Sequence, residues 1–174
     1  MRSRTKPSEV AVIGLLASLA LIFSYVEAII PYNPGMPGIK LGIANIVPLV
    51  ALYKLSAKHA AIANLIRILI AGLLFNGLFG AVYALCGATA SFIGMVLLKK
   101  TGKFSIAGVS MAGGVLHNLG QLLAASFLIS DLKVFIYFPV LLFSGIISGI
   151  AIGIAAHLIC AKLPDDLLSG QSNL

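Results

Sequence analysis

The chain has 174 residues, of which 60% are hydrophobic and only 10% are charged, and its formal net charge is +7. Soluble domains carry about 25% charged residues, so this composition excludes an ordinary soluble domain and indicates an integral membrane protein. At about 20 residues per spanning helix, the chain has room for about five or six spans. The basic residues lie between the apolar runs, which favours a role in membrane orientation over nucleic-acid binding.

Six apolar runs follow one another in what we predict to be one membrane domain, residues 1–174. The predicted spans are residues 10–28, 41–53, 57–75, 78–98, 105–129 and 134–160, with a loop at 30–40. The second run is short for a full crossing because 13 residues extend only about 20 Å as a helix. A signal peptide is the alternative for the first run, but that run is too long for a typical signal core.

The segment from Glu27 to Tyr53 differs from the other runs because it contains four prolines, at positions 31, 34, 37 and 48. Proline fixes φ and removes a backbone donor, so this segment is not one continuous helix. In lipid, irregular backbone survives only where protein buries it or where it lines a cavity. We therefore predict a structured outer loop that leads into a short, broken membrane helix and carries the specificity of the protein.

The distribution of basic residues predicts the orientation. With the N-terminus inside, the outer segments hold only Lys40 and Lys133. The inner segments hold nine basic residues, namely Arg2, Arg4, Lys6, Lys54, Lys58, Lys99, Lys100, Lys103 and Lys162. Cytoplasmic segments of membrane proteins are enriched in Lys and Arg, so we expect both termini to be cytoplasmic and the 30–40 loop to lie outside.

Small residues recur at four-residue spacing in two runs. Gly145, Gly149 and Gly153 share one face of the last run, and Gly14 and Ser18 share one face of the first. Such faces allow close helix contact. We expect the last run to pack within the chain, and Gly14 and Ser18 to be the better candidates for docking a partner membrane subunit.

Polar residues inside the apolar runs predict a binding site. Arg67 lies about ten residues into the third run, and Asn64 is on the same helix face. An ionisable group at this depth is costly and suggests a function, although a structural ion pair with Glu27 is an equal alternative. His117, Asn118 and Gln121 form a polar stripe that serves either a ligand or interhelical hydrogen bonds. The predicted ligand-binding residues are Glu27, Tyr32, Asn33, Lys40, Asn45, Asn64, Arg67, His117, Asn118 and Gln121.

Enzyme signatures are absent from the sequence. It contains no P-loop, GxSxG or HExxH motif. The only adjacent acidic pair, Asp165 and Asp166, lies in the tail, so no acidic cluster holds the magnesium ions that a prenyl diphosphate requires. Cys86 and Cys160 predict neither a disulfide framework nor a metal site. We expect no catalytic residue, no metal and no cofactor in this chain.

The sequence PGIKLGIANI at 37–46, with the basic tail and small-residue first span, resembles the substrate-binding S components of energy-coupling factor (ECF) transporters. It is more closely similar to the Gx transporter family, also labelled heptaprenyl diphosphate synthase component I. The resemblance to S components implies an all-α, six-helix bundle that captures a vitamin-sized ligand from outside. The 31–40 loop would be its lid, and Gly14-xxx-Ser18 its best match to the docking pattern of the first span. A partner membrane subunit and two ATPases would supply the energy, so ATP would act only through those partners.

Two functions remain open at this point. The first is a substrate-binding or translocation subunit in a bacterial cytoplasmic membrane. The alternative is a non-transporting membrane subunit of quinone or prenyl diphosphate metabolism, or of flavin-based extracellular electron transfer. They differ in ligand: a polar molecule reached from outside, or an amphiphile reached through lipid. An enzyme with its own active site is a third and weaker hypothesis.

Overall fold

The computed structural model describes residues 9–30 and 41–163, and this part of the chain contains helices and no strand. The predicted site residues Tyr32, Asn33 and Lys40 lie outside the described residues. The helices are α1 (Glu9–Ile29), α2 (Ile46–Lys54), α3 (Ala57–Ala71), α4 (Gly77–Thr101), α5 (Ile106–Ile129) and α6 (Phe138–Lys162). Short 3-10 turns precede α2 (Ile43–Asn45) and α6 (Leu132–Tyr137), and a π-helical turn, Gly72–Asn76, follows α3.

Five helical segments of the described chain are long and apolar enough to cross a membrane. They are Val10–Ile29, Ala57–Phe75, Gly77–Thr101, Ile106–Ile129 and Leu132–Lys162. The sixth, Ile43–Lys54, falls short of that length. The protein is therefore a multi-pass membrane protein whose second helix is the short one.

The break before α2 has a local cause in the backbone. Gly42 has a left-handed backbone with φ of 75°, a conformation that glycine adopts without the steric cost of a Cβ. Pro48 lies in the first turn of α2, where a helix has no intrahelical partner for its N–H groups and tolerates proline. The proline-containing segment therefore forms a 3-10 turn and then a helix, rather than one continuous span.

The short α2 lies in the centre of the molecule. Leu49 and Leu52 are each only 1% exposed. They belong to a buried apolar cluster that also contains Met95 of α4, Val109 of α5 and Ile152 of α6. Because the other helices surround α2, it need not match the bilayer thickness by itself.

Glycines bring α5 and α6 into backbone contact. A Cβ placed on Gly145 would lie 2.8 Å from the carbonyl oxygen of Gly114, and one on Gly149 would lie 2.7 Å from that of Ser110. The predicted packing of the last run within the chain is therefore confirmed. By contrast, a Cβ on Gly14 would meet nothing within 4 Å.

Two lysines bind helix carbonyl oxygens at the end of the bundle opposite the N-terminus of α2. The Nζ atom of Lys54 donates a hydrogen bond to the carbonyl oxygen of Leu163 at 2.9 Å. Lys99 donates to the carbonyl oxygen of Leu52 and lies 4.9 Å from the centre of the Tyr53 ring. The last carbonyls of a helix have no intrahelical donor, so these lysines satisfy the C-terminal ends of α2 and α6.

Candidate binding cavity

A cavity of about 310 Å³ lies at the other end of the bundle, where α1 ends and α2 begins. All of the helices except α2 contribute to its described wall, together with the segment Leu41–Asn45 that leads into α2. Its polar lining residues are Ser24, Glu27, Asn45, Arg67, His117, Asn118, Gln121 and Ser148. Pockets for small molecules usually enclose about 300–1,000 Å³, so a small ligand fits here.

Arg67 is the centre of the hydrogen-bond network in this cavity. Its Nε and Nη2 atoms donate to Oδ1 of Asn64 at 3.1 and 2.6 Å. Nη2 also donates to Oδ1 of Asn45 at 3.1 Å, and Nη1 to the hydroxyl oxygen of Ser24 at 3.4 Å. All of these partners are neutral, so the guanidinium is held in place by side chains that do not neutralise its charge.

Glu27 lies in the same cavity but makes a different contact. Its Oε1 accepts a hydrogen bond from the backbone N–H of Gly42 at 2.5 Å, which ties the end of α1 to the left-handed residue before α2. Glu27 also attracts the Arg67 guanidinium electrostatically. The described hydrogen bonds of Arg67 nevertheless go to neutral oxygens, so the two charged groups share a cavity without a direct hydrogen bond.

The polar stripe of α5 forms the opposite wall. His117, Asn118 and Gln121 all line the cavity. The Nδ2 atom of Asn118 donates to the carbonyl oxygen of Leu141 at 2.7 Å, so this residue also joins α5 to α6. Behind the stripe, a Cβ on Gly87 of α4 would lie 2.7 Å from Cγ of Gln121. The stripe therefore faces the cavity, and one of its members also makes the interhelical bond that was the alternative interpretation.

Of the seven predicted site residues that the structure describes, six line this cavity: Glu27, Asn45, Arg67, His117, Asn118 and Gln121. Asn64 is not among the lining residues, but it holds Arg67 from behind. The sequence reasoning missed Ser24 and Ser148. The position of Ser24, three residues before Glu27 on the same helix, is a signal that could have found it.

Metal chemistry has no support in the described residues, where no group of three or more His, Cys, Asp or Glu side chains is placed to bind a metal ion. The two cysteines are free: Cys86 is exposed on α4, and Cys160 is buried on α6. The described lining of the cavity offers hydrogen bonds and charge for the recognition of a ligand.

The fold and the cavity together define a helical, multi-pass membrane protein with a polar pocket enclosed by its helices. Residues 16–159 match the family model described as heptaprenyl diphosphate synthase component I. The chain therefore belongs to this family, the Gx transporter family, which confirms the closer of the two resemblances found in the sequence. The comparisons with curated proteins and with solved structures gave no match. The likeness to ECF S components stays a prediction.

Proposed function

We propose that this protein is the substrate-binding subunit of a membrane transporter and that the 310 Å³ cavity holds its ligand. The observation that carries the proposal is the position of Arg67, which points three of its nitrogen atoms at neutral oxygens inside an apolar helix bundle. Ionisable groups inside membrane segments are costly and mark substrate pathways. A guanidinium whose hydrogen bonds go only to neutral oxygens suits an anionic group of a ligand, to which an arginine binds strongly.

The cavity also indicates what else the ligand carries. Among the described lining residues, Arg67 and Glu27 give formal charges of +1 and −1. His117, Asn118 and Gln121 add side chains that can both donate and accept hydrogen bonds. We infer a small polar ligand that has one acidic group for Arg67 and a hydrogen-bond donor for Glu27.

The remaining features of the proposal follow from the S-component resemblance and from charge. The protein would lie in a bacterial cytoplasmic membrane as a six-helix bundle with both termini cytoplasmic, so that the cavity opens outwards. Gly14 and Ser18 are exposed on α1, which leaves this face accessible to an ECF membrane subunit. ATP would act only through the partner ATPases, and the chain itself would hold no cofactor.

The alternative is a membrane subunit of prenyl diphosphate or quinone metabolism, or a partner of flavin-dependent proteins. The family description favours it, because a component I implies a second component that would do the chemistry. Leu73, in the turn between α3 and α4, and Leu78 and Phe79, at the start of α4, are exposed, and a lipid-soluble tail has access there. However, a diphosphate carries several negative charges, and the described lining has no net positive charge to balance them. This mismatch counts against a prenyl diphosphate as the ligand of the cavity, although not against an uncharged quinone.

Native mass spectrometry of the protein, extracted gently from its own membrane, tests the proposal. We expect the unaltered protein and the Lys100→Ala control to retain a small polar molecule, and Arg67→Ala to lose it. Lys100 is exposed on α4 and is not a lining residue of the cavity. Retained ATPase subunits would support the transporter. A quinone, flavin or prenyl lipid without ATPases would overturn it in favour of the alternative.

A further inference from the structure

A second, smaller chamber of about 30 Å³ lies deeper in the bundle, among α2 to α6. Asn45, Gly114, His117 and Ile152 line both this chamber and the main cavity. The chamber is therefore the floor of the main cavity. Its remaining lining residues are Pro48, Leu49, Asn64, Ala88, Ser91, Met95, Ser110, Gly113 and Gly149.

Three of the side chains around the chamber are buried and polar. Asn64 and Ser91 are each 8% exposed, and Ser110 is 4% exposed. The Asn64 side-chain oxygen accepts from Arg67, but its amide nitrogen donates to no described residue. Within residues 9–30 and 41–163, the hydroxyl groups of Ser91 and Ser110 likewise make no hydrogen bond.

Polar groups inside a protein are rarely left without a hydrogen-bond partner, because removing them from water is costly. Among the described residues, the Nδ2 atom of Asn64 and the hydroxyl oxygens of Ser91 and Ser110 are not fully enclosed, so a water molecule in the chamber can reach them. Ordered water is the usual remedy, and a typical buried water makes about three hydrogen bonds. A water needs about 10–15 Å³ of such space, so a chamber of about 30 Å³ has room for about two. A dry chamber is expected only where the lining is apolar, and here three polar side chains face it.

We propose that this chamber is a binding site for about two water molecules, which hydrogen-bond to Asn64, Ser91 and Ser110. The waters extend the polar surface of the main cavity past Asn45 and His117, down to Asn64. They also complete the hydrogen bonds of the residue that holds Arg67. The site exists in the protein without ligand, so the proposal does not depend on what the main cavity binds.

Radiolytic footprinting of the unaltered protein tests the proposal, because hydroxyl radicals formed from bound water oxidise the methionine beside it. Met95 lines the chamber and is only 9% exposed. We expect Met95 to be oxidised although it is nearly buried. A Met95 that the radicals leave intact would overturn the proposal.

A variant whose side chain fills the chamber, compared with the same substitution on the surface, provides the matched control. Ser91→Val removes one hydroxyl and adds bulk to the chamber, and we expect it to abolish the oxidation of Met95. Ser18→Val makes the same change on the exposed face of α1 and should leave the oxidation of Met95 unaltered. Equal oxidation of Met95 in both variants would show that its radicals come from elsewhere and would refute a water site here.

The sign of a stability change gives a second readout. Ser110→Ala removes a buried hydroxyl and little volume. If water satisfies that hydroxyl, the variant loses a hydrogen bond and its melting temperature should fall. If the chamber is dry, the variant loses an unsatisfied group, and replacing such a group is neutral or stabilising. An unchanged or raised melting temperature would therefore count against bound water.

Discussion

Arg67→Ala would remove four hydrogen bonds that a single side chain makes to three neighbours. The change leaves the amide oxygens of Asn45 and Asn64 without their donor, at about 1–3 kcal/mol for each buried group. Asn45 lines the cavity and Asn64 lines the chamber below it, so water can reach both oxygens. We therefore take the lower part of that range and expect unfolding to be easier by about 2–3 kcal/mol. For a chain of this size, the melting temperature should fall by about 4–12 °C.

Glu27→Gln is the informative comparison. A direct ion pair would make both variants similarly unstable, because each would leave the other charge buried and unpaired. The structure instead gives Glu27 a hydrogen bond from the Gly42 N–H, and a glutamine oxygen can still accept it. Hydrogen bonds to charged groups are roughly twice as strong as neutral ones, so we expect this variant to lose only about 1 kcal/mol.

Thermal unfolding in detergent can be followed with a thiol-reactive fluorescent probe, since the chain contains no tryptophan. Cys160 is buried and would react only on unfolding, whereas Cys86 is exposed, so a Cys86→Ser background removes the early signal. Lys100→Ala is the control for loss of a surface charge. Equal losses of stability in Glu27→Gln and Arg67→Ala would refute the hydrogen-bond network around Arg67 and support a direct ion pair between the two residues. No loss of stability in Arg67→Ala would refute both the network and the ion pair.

Three further predictions concern the helix contacts. Gly149→Ala should lower stability by about 1–3 kcal/mol, because its Cβ would lie 2.7 Å from α5 backbone atoms. Gly14→Ala is the control and should not lower stability, because a Cβ at Gly14 meets nothing within 4 Å. Equal melting temperatures of these two variants would contradict the close packing of α5 and α6. Asn118→Leu loses its bond to an α6 carbonyl, so we expect about 1 kcal/mol less stability and weaker ligand retention. Lys99→Met keeps an apolar side chain but loses the hydrogen bond to a carbonyl oxygen and the contact with the Tyr53 ring. We expect it to lower the free energy of unfolding by about 1–2 kcal/mol. An unchanged midpoint of thermal unfolding would argue against these contacts.

Much of the secondary structure could be predicted from local pattern alone. Residue 57 was predicted as the start of the third span, and α3 begins at Ala57; residue 129 was predicted as the end of the fifth, and α5 ends at Ile129. Apolar run length, turn residues and prolines act within a few residues of each other, so the sequence displays them directly. The four-residue glycine spacing likewise predicted the face of α6 that packs, because helical periodicity is a local property.

The partners of the polar residues were decided by tertiary structure. Asn64 could be paired with Arg67 from their spacing of three residues. Ser24 and Asn45 could not, because they come from different helices and meet Arg67 only when α1 and α2 pack against α3. The same holds for the hydrogen bond that the Gly42 N–H donates to Glu27. The sequence had left a ligand contact and an ion pair with Glu27 as equal alternatives for Arg67.

The sequence by itself therefore determined that the protein is helical and membrane-spanning, the order of its helices, and which residues are too polar for lipid. The bounds were only partly predicted, since α2 begins at Ile46 rather than at residue 41 and α6 at Phe138 rather than at residue 134. Only the tertiary structure decided which of the polar residues share a cavity, that a second chamber lies below it, and that α2 packs against the other helices in the centre of the molecule. The physical reason is that membrane helices are apolar on nearly all faces. Their neighbours are selected by close packing and a few hydrogen bonds between distant residues, which no local pattern encodes.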